Sequence, residues 1–414
     1  MFKIFIVPIL FTGIFGCGGA ISSANNAATN GNATTPDTSN SPVEKRKPNT
    51  GYKPAFAGQT RIAGVKTQTA YESTVITRDL QRPWGITALP DGRFLVTQKE
   101  GTMIIVSKDG KLSEPLSGIP EVNDAGQGGL LGVTIDPQFS SNKMIYWTFS
   151  EKTSEGNLTA VAKGALSADE KSISNATVIY RATPAYRGNL HYGSRVLIDK
   201  SGNLLVSTGE RSDLETRPQA QQLNSALGKI IRITKDGAPA AGNPFINREG
   251  ARSELYSYGH RNVQGLAMEP ATGDLWETEM GPRGGDELNR IEPGKNYGWP
   301  AITYGIEYGG GKVGPGNTVQ AGMEQPIYYW DPVLSPSGMT FCSSDNIAEW
   351  KNNLFICGLN SNHIARLVID DNKVVGEERL LSGEGQRFRD ICQGTNGNLY
   401  AITDEGRLYM MSKK

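Results

Sequence analysis

The chain has 414 residues and a formal charge of zero, with 42 Lys plus Arg against 42 Asp plus Glu. That balance excludes a dedicated nucleic-acid binder, which shows a basic stripe; no basic run is longer than Lys45-Arg46-Lys47. Fifty glycines and 22 prolines demand many turns, and a single all-β architecture of this length is as admissible as two or three domains.

In chain order, residues 1–17 read as a signal peptide. Lys3 supplies a short positive region and Ile4 to Phe15 an apolar one, too short to span a membrane. The end, Ile14-Phe15-Gly16-Cys17, is lipobox-like, although Phe15 is bulky for such a site. Acylation at Cys17 would place the protein in a bacterial cell envelope, in the periplasm or on the outer membrane, touching the membrane only through that anchor. An ordinary signal peptide cut nearby is the plainer alternative. Residues 18–64 are rich in Ser, Asn, Ala, Thr and Pro, with little apolar until Tyr52 and Phe56. This composition is expected to stay a disordered polar tether, roughly 35 Å long on average.

From 65 to 414 one phrase recurs six times: a short apolar run, a turn on Gly with Asp or Asn, then a second apolar run. The copies begin at Trp84, Gly129, Gly193, Val263, Ser337 and Arg389. The pairs Asp91-Gly92, Gly202-Asn203, Gly273-Asp274 and Gly397-Asn398 suit tight hairpins. An all-strand unit repeated about every fifty residues or more predicts a six-bladed β-propeller. Tyr71 to Leu80 alternates like a strand ahead of the first full copy and is expected in or beside the last blade.

Chemistry is expected on loops at one mouth of the central channel. Among three histidines, His191 precedes one inner strand, and Glu210 follows the next strand at the same end. A carboxylate there would orient the imidazole as a general base; a satisfied loop histidine, and an ion pair of Glu210 with Arg211 or Arg195, are the structural alternatives. Arg261 and Asn262 precede another inner strand. Arg387 and Arg389 fall on one face if extended, and repel unless an anion or Asp390 lies between them. Three arginines at strand starts imply a polyanionic ligand such as a polycarboxylate; inter-blade ion pairing is the alternative. Gly281 to Glu287 combines exposed carbonyls with the hard oxygens of Asp286 and Glu287, a composition suited to Ca²⁺ or to a plain turn. Cys342, Cys357 and Cys392 give no disulfide framework; Cys342 and Cys357 could face each other in one blade, and buried free thiols are the simpler expectation.

The phrases RPWGITALPDGRFLVT, GQGGLLGV, LHYGSR with STGER, YGHRNVQGLA, EMGPRGGDELN, GKNYGWP, PSGMTF and QRFRD stand in this order over about 75–414. Together they resemble the soluble pyrroloquinoline-quinone-dependent aldose sugar dehydrogenases of the glucose/sorbosone dehydrogenase family. The resemblance implies a six-bladed propeller carrying pyrroloquinoline quinone (PQQ) and Ca²⁺ at the channel mouth. It implies oxidation of an aldose sugar at C1 to a lactone, with electrons passing to an external acceptor. By the same resemblance His191 is the base, Glu210 supports it and Arg261 stabilises developing negative charge. Gln127, Arg261, Asn262, Tyr308, Arg387 and Arg389 would contact the quinone. The carbonyls of Gly281 and Pro282 would hold Ca²⁺, with Glu287 and Tyr297 at a further Ca²⁺. One departure stands out: Asn360 occupies a cofactor-binding position where many members have lysine. A non-catalytic propeller interaction module and a Ca²⁺-dependent propeller lactonase are the alternative functions.

Overall fold

The structure, a computed structural model, describes residues 41–414. Cys17 and residues 18–40 lie outside the described part.

Six antiparallel sheets form in sequence order, five of four strands and one of three. Blade one comprises Pro83–Ala88, Phe94–Gln98 and Thr102–Val106. Blades two to five follow at residues 130–181, 196–258, 263–330 and 336–380. Blade six comprises Phe388–Gln393, Leu399–Thr403 and Leu408–Lys413, completed by Tyr71–Thr77, which pairs antiparallel with Leu408–Lys413. The sequence expectation for that strand holds. An early strand and the C-terminal strand thereby share one blade and close the ring.

The strands alternate, and the alternation explains the ring. In blade one Leu95 packs toward blade two, while Phe94 and Val96 pack toward blade six. In blade three Leu204 and Val206 face blade two, and Leu205 faces blade four. Successive side chains of a strand point to opposite faces, so each middle strand feeds two inter-blade cores and reads as a continuous apolar run. Trp147 anchors the core between blades one and two, and Trp276 with Phe341 the core between four and five. The turn glycines Gly92, Gly202, Gly273 and Gly397 all have φ between 81° and 87°, a backbone region that glycine enters without penalty. Cys342, Cys357 and Cys392 are free thiols.

The tether expectation fails for residues 41–64, which lie against blades four and five. Pro42 pairs with Ala63 and Gly64 with Glu377 as isolated bridges. The Asp331 carboxylate accepts from Asn49 N at 2.7 Å, Thr50 N at 3.0 Å and Thr50 Oγ1 at 2.9 Å. Gln59 is fully buried, donates to Pro326 O at 2.9 Å and accepts from Tyr329 N at 2.9 Å. Glu44 pairs with both Arg46 and Arg379 at 2.7 Å. The segment is held mainly by hydrogen bonds and ion pairs, with Ile62 against the core between blades four and five. A composition argument counts apolar burial and misses such attachment.

Candidate active site

The first strand of each blade starts at the same end of the channel. A cavity of about 390 Å³ opens there, lined from all six blades in turn by Trp84, Leu131, Gly193, Asn262, Ser335 and Arg389. Two lining residues, Trp84 and Gln264, contact a buried ion pair across the channel. Arg195 of blade three reaches Asp390 of blade six at 2.7 Å, donates to Gln264 O at 2.6 Å, and lies 4.1 Å from the Trp84 ring centre. Asp390 therefore does not separate Arg387 from Arg389, as the sequence allowed. Asp404 does: its carboxylate accepts from Arg387 Nε at 2.9 Å and from Arg389 Nε at 2.7 Å.

His191 and Glu210 are brought together as expected. His191 Nδ1 lies 2.8 Å from Glu210 Oε1, and both residues are buried. Gly209 makes the approach possible, because a Cβ there would sit 2.2 Å from the His191 carbonyl oxygen. The other Glu210 oxygen accepts from Ser212 N at 3.1 Å, and Gln127 Oε1 accepts from His191 N at 2.9 Å. A carboxylate only accepts, so Nδ1 carries the proton and Nε2 is left as the basic nitrogen. Burial, and then the positive charge of Arg261, hold the imidazole pKa down to about 4 against the opposing pull of Glu210. His191 is thus neutral at neutral pH. Arg211, a candidate partner of Glu210, instead lies over the Tyr192 ring and donates to the carbonyls of Asn157, Gly188 and Leu190.

Arg261 and Asn262 also converge here. Arg261 Nη1 donates to Met280 O at 2.9 Å and Gly281 O at 2.7 Å, while its buried Nε has no partner. Asn262 Oδ1 accepts from Gly193 N at 3.0 Å, tying blade four to the His191 loop. Gln127 lines the cavity. Three expected contacts are not brought to its wall, and the first, Arg261, lines a small adjoining pocket with Glu279, Gly281 and Tyr297 instead. Tyr308 is 70% exposed and off the wall, and Asn360 is exposed, one residue beyond Leu359, which does line the cavity.

That offset reveals what the sequence reading missed. The residue immediately after the second strand lines the cavity in four blades: Lys99, Met280, Leu359 and Asp404. The repeat register marks this position in every blade, but the equivalent residues of blades two and three, Ser154 and Thr208, do not line the cavity. Arg82, at the entry of blade one, adds another wall cation.

The wall suits a polyanion, with Arg82, Lys99, Arg387 and Arg389 on it against one lining carboxylate, Asp404. For a divalent cation the donor chemistry fits best in an adjacent buried cluster in blade four. Glu277, Glu279, Glu287 and Asn289 are all buried there, and Glu277 Oε2 and Asn289 Oδ1 lack a partner. Burial, and next the charge of Glu279, push the carboxyls of Glu277 and Glu287 well up; a cation would relieve both. His260 Nδ1 lies 3.2 Å from Glu279 and stacks on Tyr297. The Tyr297 hydroxyl is committed to Arg290 O and Glu292 N at 2.8 Å each, so only its carbonyl is left for a metal. A cation on the carbonyls of Gly281 and Pro282 would compete with Arg261 for Gly281.

Known proteins share this fold and much of this sequence. The glucose/sorbosone dehydrogenase family profile matches residues 80–410. Aldose sugar dehydrogenase YliI of Escherichia coli (strain K12) is 40% identical over 345 residues, 82% of this chain and 92% of the relative. The crystal structure of the soluble aldose sugar dehydrogenase from Escherichia coli in the apo-form superposes with a TM-score of 0.80 at 39% identity, over 83% of this chain and all of that one. The PQQ-bound form of aldose sugar dehydrogenase from Streptomyces coelicolor superposes with a TM-score of 0.69 at 28% identity, over 84% of this chain and 99% of that one. The chain belongs to the glucose/sorbosone dehydrogenase family.

Proposed function

We propose that the protein is a PQQ- and Ca²⁺-dependent dehydrogenase that oxidises aldose sugars at C1 to lactones and passes the electrons to an external acceptor. The observation that carries this reading is the neutral His191, fixed by Glu210, whose neighbours Gln127, Tyr192 and Gly193 line a cavity walled by arginines. The similarity to a PQQ-bound aldose sugar dehydrogenase supports it.

Arg387, Arg389 and Asn262 would hold the quinone, with Gln127 beside them. When bound, PQQ supplies two-electron acceptor chemistry and Ca²⁺ supplies Lewis acidity. The chain's own residues do the rest. Glu210 holds His191 in one tautomer, leaving Nε2 as the acceptor of the C1 hydroxyl proton. As that proton passes to Nε2, the C1 hydrogen departs with its electron pair and the lactone carbonyl forms. Glu210 then faces an imidazolium and stabilises it. Arg261 offers a positive charge to oxygen that becomes more negative. Export, with acylation at Cys17, belongs to the same proposal and rests on sequence alone.

The test is steady-state: purified protein is loaded with PQQ and Ca²⁺, mixed with a panel of aldoses and a redox dye, and the product analysed. Dye reduction with stoichiometric lactone is expected. Quinone binding without turnover of any aldose would reject the reading.

A further inference from the structure

The cavity wall carries more positive charge than its own carboxylates neutralise. Asp404 serves both Arg387 and Arg389, and Arg82 reaches Glu100 at 2.8 Å. Lys99 has no carboxylate within ion-pairing distance among the described residues; its ammonium donates to the Asp124 carbonyl at 2.8 Å. An ammonium has three donors, so two remain. Burial, and then the charge of Arg82, pull the Lys99 pKa down, and Arg389 adds to that effect.

The position is built. Lys99 N donates to Arg82 O at 3.1 Å, and Lys99 O accepts from Leu130 N at 3.1 Å, so the stem leaves a fixed point on the rim. Gly129 faces that stem: a Cβ there would lie 2.7 Å from Lys99 Cγ. Asn360, in contrast, is exposed and off the wall.

We propose that Lys99 is a cofactor-binding residue whose ammonium takes a carboxylate of the bound quinone, supplementing Arg387 and Arg389 with a cation from blade one. This rests on the PQQ-dependent reading above. The chemistry required is a charge-assisted hydrogen bond between ammonium and carboxylate, which an unpaired lysine in a cationic cavity is suited to make.

The experiment is titration of the Ca²⁺-replete apo-protein with PQQ and with its trimethyl ester, followed by protein fluorescence. Wild type, Lys99→Gln, Lys99→Arg and Lys373→Gln are compared. Lys373 is exposed in the hairpin at the far end of blade five, and its variant matches the change in net charge. Lys99→Gln is expected to raise the Kd for PQQ about ten- to hundredfold, the scale of one charged hydrogen bond. Lys99→Arg should stay near wild type, and Lys373→Gln should be unchanged. The preference for PQQ over its ester should shrink in Lys99→Gln, because the lost contact is to a carboxylate. A wild-type Kd in Lys99→Gln overturns the proposal. Equal losses for acid and ester also overturn it, since they mark a loosened loop at Asp124. Failure of wild type to bind PQQ overturns the functional reading itself, and this inference with it.

Discussion

At the scale of residues, His191 is the decisive side chain. If it is the base, His191→Ala should lower kcat by about 10²–10⁴ while the Kd for PQQ stays within a few-fold of wild type; turnover near wild type would assign it a structural role. Its protonation is a second test. Only three histidines exist, so imidazole NMR resonances can be assigned by substitution. His191 should titrate near 4, against an ordinary value of 6.5. Arg261→Gln should raise that midpoint, because it removes the neighbouring positive charge. The shift also bears on stability. The unfolded chain takes up this proton near 6.5 and the native protein only near 4, so the contribution of His191 to stability falls as pH drops through that window. A midpoint near 6.5 would contradict the burial argument. The dyad was legible in sequence because it falls at fixed repeat positions. Lys99 and Asp404 occupy equally fixed positions, but a lone Lys or Asp in a turn has no chemical signature until the blades place it beside Arg387 and Arg389.

At the scale of elements, residues 41–69 act as a strap held by the carboxylates of Glu44, Asp331, Glu349 and Glu378. Glu44 accepts from Arg46 and Arg379, and Glu349 accepts from Gln68 N, Thr69 N and Thr69 Oγ1. Burial works against both charges, and the hydrogen bonds outweigh it, holding each carboxyl at about 2 in place of 4.5. With the folded values depressed, the stabilisation is present above 4.5 and is lost as pH falls toward 2. Amide hydrogen exchange should therefore show 41–69 losing protection across that window before the blade strands do. Simultaneous loss in strap and blades would show that the segment is no separate unit. The strap was illegible in sequence because its grip is made of backbone N–H groups on Asp331 and of the buried Gln59, which hydropathy scores as solvent-seeking. It also begins ahead of residue 80, where the family match starts.

At the scale of the whole molecule, six inter-blade cores close into a ring, and the strand Tyr71–Thr77 is the last piece. A chain starting at residue 79 should melt well below one starting at 65 and self-associate, because Leu408–Lys413 becomes an open edge; equal melting of the two would show that closure contributes little. The architecture was legible because turn glycines and alternating apolar residues recur in register, whereas the cavity wall was legible only in part, being assembled from residues as far apart as Arg82 and Asp404. At the other end of the chain, fatty-acid labelling of cells should mark wild type and spare Cys17→Ser; equal labelling of both would reject acylation at Cys17. The central claim, that the cavity at the channel mouth is a quinone-dependent sugar-oxidising site with His191 as its base, has one most direct test. PQQ- and Ca²⁺-loaded protein is mixed anaerobically with glucose, without acceptor, and the quinone absorbance is followed through a single turnover. The expected result is stoichiometric bleaching in wild type and bleaching slowed at least about a hundredfold in His191→Ala. Equal rates in the two proteins, or a quinone unchanged by any aldose in wild type, would contradict it.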